Sequence, residues 1–212
     1  MDKTTLETEI GYRLRTASRN FISAAEITAE LNRSLDRLNG KIDLSSTITE
    51  TTLSYTGTST VALPSDFKEP IEIYDRNNKL KYKRVSLAEL REIESDSINA
   101  YAIDGTNVEV ESTTSTGTLT LTYYSTNDAK STGGTPQKAL SVATDEPLLQ
   151  ARFHDYFVED VAAVLYRKER KFDDYKIAKS ESREIFNDIE EYNPSRIENV
   201  EVQINPFPFN YD

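Results

Sequence analysis

Residues 119–124, Leu119-Thr-Leu-Thr-Tyr-Tyr124, alternate apolar and polar side chains, which is the period of a half-buried β-strand. Further alternating stretches between residues 48 and 124 contain Val61 and Leu63, Ile71 and Ile73, Leu80 and Tyr82, and Val108 and Val110. Turn-forming sequences separate them, as in antiparallel sheets with one buried face. The sequence therefore predicts a small, sandwich-like β domain at residues 41–144. One short helix is expected within it, because Ser86-Leu-Ala-Glu89 has the spacing of a capping box.

Before and after this region, apolar residues recur at helical spacing. The first predicted helix has an apolar stripe formed by Leu6, Ile10 and Leu14. The second begins at Ser23-Ala-Ala-Glu26, another capping-box sequence, and ends near Gly40. The third starts after Asp145-Glu-Pro147 and the fourth ends at Asn193-Pro194. Because the connection between these two is short, they are predicted to form an antiparallel hairpin.

These elements predict an α+β fold in which residues 1–40, a helix pair, and residues 145–194, a helical hairpin, form one helical bundle. The antiparallel β domain at residues 41–144 is inserted into this bundle. The last part of that domain, residues 125–144, is polar and rich in turn-forming residues, so it is predicted to be a long loop. Residues 195–212 are predicted to form an extended C-terminal arm.

The C-terminal arm changes character along its length. Val200, Val202 and Ile204 alternate as in a strand, whereas Pro206-Phe-Pro-Phe-Asn-Tyr211 is aromatic and too rich in proline for a helix. Two interpretations are open: the arm folds back on the β domain, or it binds a neighbouring subunit. The second is favoured, because exposed aromatic side chains are strong anchors and proline lowers the entropy cost of ordering an extended chain. Fully extended, the arm would reach about 60 Å.

The charge and cysteine content exclude several kinds of site. The chain has 36 acidic and 25 basic residues, a net charge of -11, so it is not expected to clamp the phosphate backbone of a nucleic acid. A negative surface would instead let DNA pass without sticking. With no cysteine, disulfides and thiolate metal sites are impossible. Residues 1–9 do not resemble a secretory signal and no apolar run could span a bilayer, so we expect a soluble protein made in a cytoplasm, without a membrane partner.

No arrangement of residues predicts catalysis. His154 is the only histidine and lies within the third predicted helix, where a packing or surface role is more common than a catalytic or ligand role. The adjacent carboxylates Glu159-Asp160, Asp173-Asp174 and Glu190-Glu191 would point about 100° apart on a helix, which favours solvated faces. Asp104-Gly-Thr-Asn107 begins like a calcium loop but lacks the later acidic ligands, so a hairpin turn is predicted. We therefore expect no catalytic, metal-binding or cofactor-binding residues, and a protein that is not an enzyme.

Four motifs follow one another along most of residues 20–192. They are Glu26-Ile-Thr-Ala-Glu-Leu-Asn-Arg33 leading to Leu38-Asn39, Val61-Ala-Leu-Pro-Ser-Asp-Phe67, Leu119-Thr-Leu-Thr-Tyr-Tyr124, and Phe153-His-Asp-Tyr-Phe157 running into Ala162-Ala-Val-Leu-Tyr166. In this order they resemble the head-to-tail adaptor (connector) proteins of tailed bacteriophages.

This resemblance implies a structural protein of the virion neck, made in the host cytoplasm and bound beneath the portal protein at the capsid vertex. It also implies a homo-oligomeric ring, typically a dodecamer, whose other face meets a stopper or tail-tube protein. Double-stranded DNA would pass through the channel without specific binding, and we expect carboxylates from residues 145–194 to line it. Portal contact would fall on the arm, at Val200, Val202, Ile204, Phe207, Phe209 and Tyr211.

Two other functions are compatible with the same elements. A tail-completion or stopper protein of the neck would share the ring and the β content, but it would contact the tail tube and not the portal. A carbohydrate-binding or host-surface-binding module at residues 41–144 would agree with the Ser/Thr-rich turns and the tyrosine content. This second alternative leaves the four long helices unexplained.

Overall fold

The structure is a computed structural model, and it describes residues 1–14, 22–56, 59–93, 98–112 and 116–193. The helices in these residues are α1 (Lys3–Arg13), α2 (Ala24–Asn39), α3 (Leu87–Glu92), α4 (Asp155–Lys168) and α5 (Phe172–Tyr192). The strands are β1 (Ile48–Thr56), β2 (Ser59–Ala62), β3 (Phe67–Asp75), β4 (Leu80–Arg84), β5 (Ala100–Asp104), β6 (Asn107–Glu111), β7 (Thr116–Ser125), β8 (Ala129–Lys130), β9 (Pro136–Gln137) and β10 (Glu146–Pro147). Short 3-10 turns at Ser45–Thr47 and Ala151–Phe153 precede β1 and α4.

Strands β1 to β7 form one large sheet with the order β1-β7-β3-β4-β5-β6-β2. Neighbouring strands are antiparallel except for β4 and β5, which are parallel and are connected through α3. The two edge strands, β1 and β2, follow each other in the chain and contact each other. The sheet is therefore nearly closed.

The inner face of the large sheet encloses its own hydrophobic core. Its fully buried members are Ile73, Val108, Val110, Leu119 and Leu121. The hydroxyl groups of Tyr55, Tyr82 and Ser112 form a hydrogen-bonded cluster in this core, with Tyr82 Oη 2.6 Å from Ser112 Oγ. Because each hydroxyl has a partner, the tyrosine rings can be buried without leaving an unsatisfied polar group.

Helix α4 is the centre of the helical part, and α1, α2 and α5 each pack against it. Phe157 and Val161 of α4 are fully buried, as is the predicted stripe of Leu6 and Ile10 on α1. Helix α2 begins as its sequence predicts, because the Ser23 side chain accepts a hydrogen bond from the backbone N–H of Glu26. The helical core and the sheet core are separate groups of side chains.

The segment between β7 and α4 is held by backbone pairing and by one carboxylate. Strand β8 pairs with β9 and with β10, which gives a second, three-stranded sheet of two-residue strands. The carboxylate of Asp145 accepts the backbone N–H groups of Ser141 and Val142 at 2.7 Å each. These bonds hold the pKa of Asp145 below its ordinary value, although burial acts in the opposite direction. The segment that is predicted as a long loop thus contains ordered turns and short strands.

A cluster of polar side chains joins the helical part to the large sheet. Lys68 of β3 extends to the end of α2, where its Nζ lies 3.1 Å from Oδ1 of Asn39 and 2.8 Å from the carboxylate of Asp43. Asn39 donates to the carboxylate of Asp128, which Lys138 contacts at 3.1 Å. A partnered network of this kind fixes the position of the sheet relative to the helices.

The predicted fold class is wrong. The sequence predicts a helical bundle with a small inserted antiparallel β domain, but the dominant element is the seven-stranded, nearly closed sheet, accompanied by the C-terminal helical pair of α4 and α5. The physical reason is that the strands bury their apolar side chains against one another, so the sheet has its own core and is not an appendage of the helices. The sheet is also mixed, because α3 provides a crossover between parallel strands.

The third predicted helix begins later than expected. The sequence predicts its start after Pro147, whereas α4 starts at Asp155. Pro147 belongs to β10, and the N–H of Leu148 donates to the backbone oxygen of Asp128 at 2.9 Å. Pairing with the second sheet therefore keeps this stretch extended.

Candidate interaction surfaces

The single histidine is a packing residue. His154 lies at the amino end of α4 and is 2% exposed. Its Nε2 lies 2.8 Å from the backbone oxygen of Leu149, and its Nδ1 lies 2.6 Å from the amino group of Met1. With Nε2 donating and Nδ1 accepting, the ring is neutral, and burial lowers the pKa of His154. Of the two roles predicted for it, packing or surface, its burial agrees with packing.

The three carboxylate pairs differ in their surroundings. Asp173-Asp174 and Glu190-Glu191 are exposed, as predicted. The prediction of a solvated face is wrong for Glu159-Asp160, because Asp160 is buried and Glu159 is half-buried between helices. These two side chains pair with different arginines, Arg13 for Glu159 and Arg37 for Asp160, so they do not converge on a shared proton.

Two carboxylates share the guanidinium of Arg13 where α1, α4 and α5 meet. Its Nε lies 2.9 Å from the carboxylate of Glu159, and its Nη2 contacts Glu181 of α5. Burial raises the pKa of Glu159 to about 7; Glu181 adds to this rise and Arg13 opposes it. Because this cluster joins three helices, protonation of Glu159 would change the contacts that hold α1, α4 and α5 together.

The described residues contain no group of three or more His, Asp or Glu side chains that could hold a metal ion. Asp104-Gly-Thr-Asn107 is a hairpin turn, as predicted: Asp104 pairs with Asn107, and Gly105 has a φ of 60°. Glycine adopts this left-handed conformation without steric cost. In the part of the chain that the structure describes, none of the helices combines the length and apolar character needed to cross a membrane.

The motif that ends in Asp66 and Phe67 organises the point where β7 leaves the large sheet. The carboxylate of Asp66 accepts hydrogen bonds from Tyr123 Oη at 2.9 Å, Ser125 Oγ at 2.9 Å and Asn127 Nδ2 at 2.8 Å. One side chain thus holds both the end of β7 and the residues that follow it. Asp66 therefore sets the path of the chain from the large sheet towards the second sheet.

Helix α5 presents a mainly acidic surface to solvent. Its exposed acidic residues are Asp173, Asp174, Glu181, Glu184, Asp188, Glu190 and Glu191, and its basic residues are Lys176, Lys179 and Arg183. Within the described ranges, Glu184, Asp188, Glu190 and Glu191 form no ion pair, whereas Lys176 and Lys179 pair with Asp173 and Asp160. Unpaired carboxylates on one helix create a negative potential that repels phosphate.

The predicted portal-binding residues Val200, Val202, Ile204, Phe207, Phe209 and Tyr211 lie outside the described residues. The described residues end at Asn193, shortly before this arm. Asn193 Nδ2 donates to the backbone oxygen of Asp43 at 2.8 Å, and Asn193 Oδ1 accepts the N–H of Ser45 at 3.1 Å. The ring of Tyr192 packs against the guanidinium of Arg152, with 3.4 Å between the ring centroid and Cζ. The end of α5 is therefore attached beside the turn that precedes β1.

The first half of β1 is an open strand edge. Residues 48–52 pair with residues 120–124 of β7 on one side, and no other described strand pairs with them. Strand β2 follows β1 in the chain but pairs with β6, so it does not pair with this edge. Sequence reasoning missed this surface, because alternation identifies strands but does not give their order in a sheet. The one sequence signal that could have indicated it is the stretch between Gly57 and Pro64, which is too short to pair along all nine residues of β1.

No curated protein matches the chain at a significant level. The family model described as "SU10 adaptor protein" matches residues 1–199, and this range includes both cores, the acidic helix and the open strand edge. The resemblance inferred from the four motifs is thereby confirmed. With the match covering nearly its whole length, the chain belongs to the SU10 adaptor protein family, a family of phage head-to-tail adaptors.

Proposed function

We propose that copies of this chain form a ring, twelve-fold as in the adaptors that it resembles, which binds beneath the portal protein and connects the capsid to the tail. The observation that carries this proposal is the family match over residues 1–199. An adaptor of this family is a structural protein of the virion that associates with other head and tail proteins. The same match includes the four long helices, which a carbohydrate-binding module would leave unexplained. The proposed activity is assembly, without catalysis or a cofactor.

The acidic surface of α5 is the proposed lining of a DNA channel. Glu184, Asp188, Glu190 and Glu191 are exposed and carry no ion pair with any described residue. At physiological ionic strength their field extends over about 8 Å, so it acts on DNA close to the wall and opposes adhesion of phosphate to it. Passage without specific binding is the expected consequence.

The C-terminal arm is the proposed contact with the portal, through Val200, Val202, Ile204, Phe207, Phe209 and Tyr211. Two observations support it. The sequence combines a strand-like stretch with aromatic anchors, and Asn193 holds the start of the arm at one place on the molecule. In a ring, every copy would present an arm, so weak individual contacts would add up to a stable attachment.

Deletion of residues 195–212 tests the portal contact. The truncated protein keeps every contact described above, so we expect an unchanged melting temperature and a loss of binding to the cognate portal, measured by co-sedimentation and electron microscopy. A matched pair of full-length variants separates the effect of the aromatic side chains from the effect of shortening the arm. Phe207→Ser, Phe209→Ser and Tyr211→Ser together should abolish docking, whereas Phe207→Tyr, Phe209→Tyr and Tyr211→Phe together should retain it.

Undiminished portal binding by the truncated protein would refute the arm as the portal contact. Binding to the tail tube but not to the portal would instead favour a tail-completion or stopper protein. A map of the ring tests the channel separately: α5 should face the lumen, and a basic lumen would contradict the proposal.

A further inference from the structure

We infer that the open edge of β1 receives residues 200–204 of a neighbouring copy of this chain as an added strand. The inference rests on the proposed ring, and it narrows the proposed portal contact to the aromatic end of the arm, because Val200, Val202 and Ile204 would bind the adjacent copy instead. The strand-like part would join adjacent copies, while Phe207, Phe209 and Tyr211 would remain available for the portal.

The edge has the properties of a strand acceptor. In an antiparallel pair, alternate residues direct their backbone N–H and C=O groups away from the partner strand. The backbone N–H of Ile48 donates to the backbone oxygen of Ser45, and apart from this bond and the pairing with β7, residues 48–52 make no backbone hydrogen bond with any described residue. This stretch, Ile-Thr-Glu-Thr-Thr, contains neither the lysine nor the proline with which exposed edges are commonly protected. Ile48, Glu50 and Thr52 are exposed, and Thr49 and Thr51 are half-buried.

The arm contains a donor of matching length. Val200–Ile204 and residues 48–52 both comprise five residues, which span about 17 Å as strands. Pro194 and Pro206 delimit the segment that can pair, because proline lacks the backbone N–H that a ladder needs. Val200, Val202 and Ile204 would share one face and continue the inner face of the sheet beside Thr49 and Thr51.

Charge does not oppose this pairing strongly. The nearest like charges would be Glu201 of the donor and Glu50 of the acceptor, and Glu50 is already paired with Arg76, whose Nη2 lies 2.7 Å from its carboxylate. Backbone hydrogen bonds also suit copies that each carry a net charge of -11, since they do not require complementary surface charge.

The strand that binds this edge would come from a second copy of the chain. Each copy carries both the donor, residues 200–204, and the acceptor, residues 48–52. Two such complementary surfaces on one chain produce a head-to-tail interface, which closes into a ring when the rotation between copies permits. The arm follows shortly after Asn193, which is bound to Ser45, three positions before β1. The chain therefore leaves the described residues beside its own acceptor edge, and when copies are packed side by side this point also lies near the edge of the adjacent copy.

A photo-crosslinking amino acid at Thr52 of the full-length chain tests this inference. Equal amounts of 14N-labelled and 15N-labelled protein are assembled on the cognate portal, irradiated and analysed by mass spectrometry. We expect cross-links from position 52 to residues 200–204, about half of them joining peptides of different labels. Cross-links only between peptides of the same label would show that each chain covers its own edge, and would overturn the inference, as would the absence of cross-links to this segment.

A matched pair of variants at Val202 separates this inference from the proposed function. Val202→Pro should reduce the cross-link at least tenfold, whereas Val202→Thr, which remains β-branched, should retain it. If the unmodified chain does not bind the portal, the proposed function fails. The cross-link is then measured on the concentrated protein alone, where its presence supports the strand exchange and its absence refutes it.

Discussion

Nη2 of Arg37 lies 2.6 Å from Oδ2 of Asp160, and this contact joins α2 to α4 inside the helical core. Ser34 also donates to the same carboxylate oxygen, at 2.8 Å, and Lys179 of α5 approaches the other oxygen at 3.4 Å. Burial alone would raise the pKa of Asp160, but these partners hold it below its ordinary value. Three helices are thus connected through one buried carboxylate.

Replacement of Arg37 by Met should destabilise the protein by about 3 kcal/mol, because it leaves the buried Asp160 without its main partner. The measurement is the free energy of unfolding in urea. Arg33→Met is the control: Arg33 pairs with Glu30 but is mostly exposed, so a change below about 0.5 kcal/mol is expected. The double variant Arg37→Met, Asp160→Leu should recover part of the lost stability. Equal effects of Arg37→Met and Arg33→Met would contradict this account of the network.

Phe157→Ala should cost about 3–5 kcal/mol of unfolding free energy, because the ring is fully buried at the centre of the helical core and its removal leaves a cavity. Phe172→Ala is the matched control. This side chain is 58% exposed at the start of α5, so its loss should change stability by less than about 0.5 kcal/mol. A small effect at Phe157 would mean that α4 is not the centre of the core.

Protonation of His154 should lower the free energy of unfolding as the pH falls. Its pKa is lowered in the folded state from an ordinary value of 6.5, so below pH 6.5 the unfolded chain binds the proton more readily. The contribution of His154 is therefore fully present above pH 6.5 and is lost as the pH falls below that value. Because the chain has one histidine, its ring resonance in a proton NMR titration reports this pKa directly. A midpoint at or above 6.5 would contradict the buried, neutral ring.

The contribution of Glu159 to the free energy of unfolding should depend on pH in the opposite direction. Its pKa is about 7 in the folded state and about 4.5 ordinarily, so between these values the folded protein binds more protons than the unfolded chain. Its contribution is complete below pH 4.5 and declines as the pH rises to about 7. The difference in unfolding free energy between the wild type and Glu159→Gln should change over this window. Glu181→Gln removes the competing carboxylate and should lower the pKa of Glu159; an unchanged window would refute the sharing of Arg13.

Local patterns predicted the elements that depend on neighbouring residues. The stripe of Leu6 and Ile10 and the cap at Ser23 correspond to α1 and α2, and the alternation of Leu119 and Leu121 corresponds to β7. Each of these signals needs only the spacing of residues within one element. They were therefore accessible from the sequence alone.

Features that depend on distant pairs were not predicted. Arg37 and Asp160 are 123 positions apart, and no local pattern distinguishes their pairing from two solvated charges. The order of the strands, the parallel pair and the open edge of β1 likewise arise from contacts between remote segments. Near residue 145 the chain is polar yet ordered, because the Asp145 carboxylate organises the backbone of Ser141 and Val142. Composition alone indicates a loop there.

The attachment of Asn193 to Asp43 and Ser45 also has a mechanical consequence. Tension applied to the chain after residue 193 would not act only on the end of α5 and its packing against α4. It would reach the turn before β1 through two hydrogen bonds, and β1 would transmit it along its paired length to β7, in shear. Strands pulled in shear share the force among all their hydrogen bonds at once. An adaptor built this way would resist tension with its sheet as well as with its helices.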